Sequence, residues 1–265
     1  MCTIVAAVQV WPERPLVIAA NRDEALGRPA TGPEVWAAGE VAERRVLAPR
    51  DLQAGGTWLG VNDRDLFVGI TNRRSFADPQ RRSRGELVFA ALGADDHADA
   101  RARILELDPS EYNPFHLLFA DRRGAAIVWS DGAQMHALAL GPGIHWITER
   151  SFDAAPTERH ATLTGWADQL AGGGPPTVDT WQALLADHQP GPATPVPDAV
   201  ALDGICVHAD PLVYGTRSST LVELGPASLR FFHAIGRPCE VPLRPHDEAV
   251  AQLRAANRGG PAKSA

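Results

Sequence analysis

The chain has 265 residues, 45% of them hydrophobic and 22% charged, with a formal net charge of −7. That content supports a sizeable core and excludes disorder as the default state, and the absence of a basic stripe interleaved with aromatics argues against a nucleic-acid partner. No 18-residue apolar run is present to span a membrane, and Glu13, Arg14, Arg22 and Asp23 interrupt the amino-terminal segment too early for a signal peptide, so a cytoplasmic setting is expected.

Residues 2–10 (CTIVAAVQV) are β-branched and apolar, the pattern of a strand buried on both faces. A turn at Trp11-Pro12-Glu13-Arg14 leads into the apolar run 15–20, so the two predict a hairpin, followed by a polar, turn-rich stretch from Asn21 to Pro33. Gly55-Gly56 introduces TWLGV at 57–61, which turns at 62–65 into LFVGIT at 66–71, a second hairpin. Residues 85–107 carry helical spacing, and strands are predicted at 115–120, 125–130, 134–139 and 144–148. Helices are predicted at 157–170 and 178–185, and the proline-rich stretch 189–197 reads as a surface loop. Strands return at 205–209, 219–224 and 228–234, before a last helix at 246–256 and a frayed tail at 257–265. Hairpins separated from blocks of helix predict an α+β sandwich of antiparallel sheets, with one domain over 1–256.

The three cysteines, Cys2, Cys206 and Cys239, are too few and too scattered for a disulfide framework, and no CxxC or His/Cys spacing signals structural zinc. Cys2 follows the initiator methionine, and removal of Met1 would place a thiol and a free α-amine on one residue. That amine, with an unperturbed pKa of about 7.7–8.0, is a ready general base for the thiol beside it. If Val10 pairs with Pro15, antiparallel partners sum to 25 and Cys2 lies opposite Asp23, whose carboxylate would orient the amine. A slip of one or two residues still leaves Asn21–Glu24 beside the amino terminus. The competing reading of Cys2 is a small buried hydrophobe that starts a strand.

MCTIV at the start, PLVIAANRDE at 15–24, AGGTWLGV at 54–61, GITN at 69–72, RGELV at 84–88, YNPFHLLFAD at 112–121, LGPG at 140–143 and YGTRSST at 214–220 resemble the NRDE family in order across most of the chain. The resemblance implies a four-layer αββα N-terminal-nucleophile hydrolase-like fold, similar to choloylglycine hydrolases and penicillin V acylases, which cleave linear C–N amide bonds with a processed cysteine. It implies Cys2 as nucleophile, Asp23 as the aspartate near the α-amine, Asn72 as an oxyanion donor and Arg217 as a site arginine. Arg22 departs from the acylase pattern by following Asn21. In an amidohydrolase Asn21 would help Asp23 orient the amine, while Arg22 and Arg217 position a carboxylate or the site itself. Glu149 stands where a second donor asparagine would fall. The family's links to haem and lipid or acyl-thioester trafficking add a second expectation, a non-catalytic carrier, with haem as cargo rather than a resident cofactor. Oligomers are common in the fold, which leaves self-association open.

Glu24, Trp58, Glu149 and Ser218 are candidates for substrate contact, against blander roles for Glu24 in solvating the turn, Trp58 in the core and Ser218 in starting a strand. Cys206 reads as an inert buried thiol, and His208 and His233 as strand histidines rather than haem ligands. Arg81, Arg82 and Arg84 read as a solvated loop.

Overall fold

In the computed structural model the described residues are 2–151, 157–189 and 202–255. Met1, the proline-rich stretch from 190 and the tail expected at 257–265 lie outside them. The first strand, β1 (Cys2–Trp11), pairs antiparallel with β2 (Arg14–Ala25). Next to the turn, Trp11 faces Arg14, the register summing to 25 that the hairpin predicts. The ladder then slips between Val8 and Trp11, where Gln9 adopts a left-handed φ of 52°. One residue is absorbed in this bulge, so Val8 faces Leu16 and Cys2 faces Arg22 rather than Asp23.

The slip matters because side chains alternate across a strand. Ile4, Ala6, Val8, Leu16 and Ile18 enter the core between the two sheets, whereas Val5, Ala7, Val17 and Ala19 pack on the helices outside. Cys2 and Arg22 therefore share the inter-sheet face, and Asn21 and Asp23 the opposite one. The polar stretch Asn21–Ala25 is strand rather than turn, because β2 is flanked by β1 on one side and by β12 (Tyr214–Leu224) on the other. Its buried polar side chains find cross-strand partners: the Ser219 hydroxyl donates to Asn21 Oδ1 at 2.6 Å and the Thr216 hydroxyl to Asp23 Oδ1 at 2.7 Å.

The first sheet has the order β10-β1-β2-β12-β13-β14, where β10 is Gly143–Ile147, β13 Leu229–Ile235 and β14 Arg244–Pro245, with β11 (His208–Ala209) also on β12. The second runs β3-β4-β5-β6-β7-β8-β9: Ala30–Trp36, Val46–Asp51, Leu59–Asn62, Phe67–Asn72, Phe115–Asp121, Gly124–Ser130 and Met135–Leu140. β9 and β10 are separated only by a tight turn yet belong to different sheets. The sequence reading did not anticipate β3 and β4. Gly32 and Pro33 interrupt the alternation of β3, which an edge strand with a bulge between Thr31 and Glu34 tolerates.

Helices α1 (Arg84–Leu92) and α2 (His97–Leu105) cover the second sheet; the helical stretch expected over 85–107 is split where Asp96 Oδ1 caps α2 by accepting from the amides of Ala98 and Asp99. Helices α3 (Glu158–Ala171) and α4 (Val178–Leu185) cover the first sheet through Leu163, Trp181 and Leu185, and α5 (Asp247–Arg254) closes one end. The result is the αββα sandwich. The strand expected at 205–209 shrinks to its last two residues, because the backbone at 205–206 has other partners: the Ile205 carbonyl accepts from Asn21 Nδ2 and the Cys206 amide donates to the Asp187 carbonyl.

Candidate active site

Cys2, Arg22 and Ser218 form one cross-strand row on the inter-sheet face of β1, β2 and β12. Cys2 and Arg22, but not the buried Ser218, open into a cleft of about 490 Å3 whose walls also include Asp23, Trp58, Asn72 and Arg84. The opposite wall comes from the second sheet. Trp58 enters β5, Asn72 ends β6, and Ser83 caps α1 by accepting from the Gly85 amide at the cleft's edge. That wall sits close because Gly56 passes against Gly85, where an added Cβ would lie 2.9 Å from the Gly85 Cα; neighbouring Gly55 takes a φ of +73°.

Cys2 is half-buried. Burial pushes its thiol above the ordinary range, the nearby Asp23 charge adds to the rise, and a hydrogen bond from the Asp23 backbone amide opposes it. The resting sulfur is therefore a protonated thiol that needs a base. Burial also raises the Asp23 carboxyl, opposed first by the charge of Arg159. Asp23 points to the helix side, where Thr216 bridges it to the Val207 amide.

Arg22 is fixed on three sides. Its guanidinium carbon lies 4.4 Å from the Trp58 ring centroid, Nη2 lies 3.1 Å from Asp51 Oδ2, and Glu24 stands at 3.9 Å. Trp58 thus serves as the platform under Arg22, and Asp51, which nothing in the sequence singled out, is the anchor shared by Arg22 and Arg28. Arg81, Arg82 and Arg84 line the cleft, and Arg82, exposed and paired with Glu86 and Glu111, keeps the solvated character expected of it whereas Arg84 is half-buried. Arg84 donates to the Pro114 carbonyl at 3.0 Å and, among the described residues, has no carboxylate within ion-pair distance. Burial lowers it below the usual arginine range and the negative charge that Cys2 can carry raises it, so the two groups interact electrostatically.

Four expected site residues lie off this cleft's wall: Asn21, Arg217, Glu149 and Ser218. The one-residue slip leaves Asn21 on the helix face, where its amide donates to the carbonyls of Leu185 and Ile205 at 2.8 and 2.9 Å, so it braces α4 instead of holding an amine. Arg217 is the bulged residue between Thr216 and Ser218 and is not part of the cleft wall. Glu149 lines a neighbouring cleft of about 590 Å3 that shares Asn72 and Arg84 with the first, and its carboxylate is engaged by Arg159 at 3.3 Å. Arg159, fully buried, also donates to the Thr3 hydroxyl and to the carbonyls of Leu202 and Asp203. One arginine at the start of a helix, more than 130 residues from its strand partners, leaves no signal in the sequence.

The family model described as Transport and Golgi organisation 2 matches residues 1–228. The chain is 34% identical over 141 residues to the Transport and Golgi organization protein 2 homolog of Homo sapiens, and 30% identical over 144 residues to that of Bos taurus. Each alignment covers 50% of this chain and 50% of the relative, so the chain spans about half the length of the curated relatives it matches. Among solved structures, the Caenorhabditis elegans ortholog of N-acylethanolamine-hydrolyzing acid amidase superposes with a TM-score of 0.53 at 12% identity, covering 83% of this chain and 92% of that one. An arginine-to-leucine variant of the conjugated bile acid hydrolase from Clostridium perfringens gives 0.52 at 10% identity, covering 96% and 94%. At such identities the likeness is one of fold, and it is the N-terminal-nucleophile hydrolase-like fold that the sequence resemblance implied.

Proposed function

Starting from a chain that belongs to the Transport and Golgi organisation 2 family, we propose that it is an N-terminal cysteine hydrolase acting on a small amide that carries an anionic group. The observation carrying this reading is the cross-strand pair of Cys2 and Arg22 in the cleft wall, with the half-buried Arg84 lining the same cleft. Once Met1 is removed, the Cys2 α-amine would take the thiol proton as sulfur attacks the amide carbonyl. The tetrahedral oxyanion would be held by a donor such as the Asn72 side chain, worth about 3–4 kcal/mol in comparable sites. Collapse expels the amine leaving group, which takes the proton from the α-ammonium, and water then cleaves the acyl thioester. Asp23, buried next to the amino end of β1, favours the charged form of that amine. Arg84 supports the anionic part of the substrate assignment, because a half-buried guanidinium with no carboxylate partner among the described residues gains from an incoming one.

The test is mass spectrometry on the purified protein. Loss of Met1 and addition of one acyl group at Cys2 from a carboxylate-bearing activated amide are expected, with no adduct in Cys2→Ala and weaker labelling in Arg84→Gln. A mature protein with Cys2 exposed that never acylates would reject the hydrolase. The engagement of Glu149 by Arg159, where a second oxyanion donor was expected, favours one rival: a carrier that binds an acyl thioester or haem without turnover. Among the described residues lining the cleft there is no histidine, so a haem bound there would need the Cys2 thiolate. Saturable binding that persists in Cys2→Ala, with no acylation of the wild type, would favour the acyl-thioester carrier.

A further inference from the structure

Outside the cleft, four side chains with metal-binding chemistry converge next to the first sheet. His188 follows α4, Cys206 precedes β11, His208 begins it, and Cys239 lies in the connection from β13 to β14. One donor atom from each lies within 4.8 Å of the others. Cys206 Sγ is 3.7 Å from Cys239 Sγ, His208 Nε2 is 3.2 Å from Cys239 Sγ, and the rings of His188 and His208 stand 4.8 Å apart. We infer that these two cysteines and two histidines form a site for a zinc-like divalent cation.

The distances decide between the chemistries open to two neighbouring thiols. A disulfide requires about 2.05 Å between sulfurs, well short of the 3.7 Å found. A tetrahedral ion with metal–sulfur bonds of about 2.3 Å places its two sulfurs about 3.8 Å apart, and a sulfur and an imidazole nitrogen about 3.5 Å apart. The sulfur pair already has the tetrahedral edge, and the His208–Cys239 pair needs to open by only a few tenths of an ångström. Two thiolates with two imidazoles are the donor set that favours zinc over magnesium or calcium. Four protein ligands fill the shell, so the ion is structural and leaves no position for a substrate. On binding, each thiol releases its proton to solvent, two protons for one divalent ion, so affinity falls as pH falls.

The site would clasp the segment after α4 to the segment before β12, the same two that Asn21 bridges through the carbonyls of Leu185 and Ile205. Val207, next to Cys206, donates to the Thr216 hydroxyl that holds Asp23. A metal here therefore stiffens the support of Asp23 from outside the cleft. No sequence motif announces it, because only Cys206 and His208 are close in the chain.

The test titrates the full chain, reduced and stripped by chelator, with Co2+ under exclusion of air. One equivalent is expected to bring up the visible bands of tetrahedral cobalt and a thiolate-to-metal band in the near ultraviolet, both abolished by Zn2+. Cys239→Ser loses the thiolate contribution and weakens Zn2+ binding at least about tenfold. Zn2+ raises the melting temperature of the wild type but not of His188→Gln, and Cys2→Ala titrates as the wild type does. Unsaturable binding, a spectrum unchanged by Cys239→Ser, or recovery of Cys206 joined to Cys239 after alkylation at lysis would each overturn the site.

Discussion

Replacing Arg159 by methionine tests the electrostatic arrangement behind Cys2. The side chain is 1% exposed and contacts Glu149 and Thr3 at 3.3 Å each, together with two backbone carbonyls. Methionine fills much of the volume but leaves Glu149 buried without its cation and the other acceptors without a donor. Breaking one side of a buried ion pair costs about 3–5 kcal/mol, which for a chain of this size lowers the melting temperature by roughly 6–20 °C. The pH dependence separates this from a packing defect. Arg159 opposes the burial that raises Asp23, so without it the folded-state pKa of Asp23 climbs further above the unfolded value. A carboxyl shifted that way costs stability as pH rises through its folded pKa and costs nothing below the unfolded one, about 3.9. Urea unfolding of wild type and Arg159→Met at low salt is therefore expected to show the full deficit at pH 7 and a clearly smaller one near pH 4.5, and adding Glu149→Gln to the variant should recover part of it. A deficit below about 1 kcal/mol, or one that grows on acidification, would mean that Arg159 does not offset the buried charges of Glu149 and Asp23.

Gln9 sets the register from a left-handed backbone, so Gln9→Gly is expected to melt at or above the wild type and Gln9→Val at least about 1 kcal/mol below it; equal midpoints for the two variants would show that position 9 holds no left-handed strain. His233, buried with Nδ1 on the Thr220 hydroxyl at 2.9 Å, is pushed down to about 3 by burial, with a smaller contribution from His246. Its folded pKa lies below its unfolded value of about 6.5, so the neutral imidazole loses stability as pH falls through that window, about 2 kcal/mol between pH 7 and pH 5 by urea unfolding. His233→Gln should flatten that slope, and an unchanged slope would assign it to other groups. Gly56→Ala drives a Cβ against the Gly85 backbone, for an expected loss of about 1–3 kcal/mol and weakened labelling of Cys2; an unchanged melting temperature would show that the cleft wall yields freely.

Local pattern alone reveals most of the elements here. The apolar run at 2–10, the turn at 62–65 and the separated helices at 158–171 and 178–185 are each stabilised by residues adjacent in the chain, and their periodicities survive in the structure. The amino-terminal cysteine and the strand that faces it were legible for the same reason, since a hairpin converts sequence separation into spatial pairing. What the pattern could not supply was the face. A single bulged residue, Gln9, changes the partner of Cys2 from Asp23 to Arg22, and that choice depends on how β1 and β2 fit the second sheet. The same limit hid Asp51 beneath Arg22, Arg159 behind Glu149, and the meeting of His188 with Cys239. Each joins residues whose separation in the chain carries no periodicity, so their proximity follows only from the stacking of layers, where burial of a charge or a thiol selects its partner after the backbone has been placed.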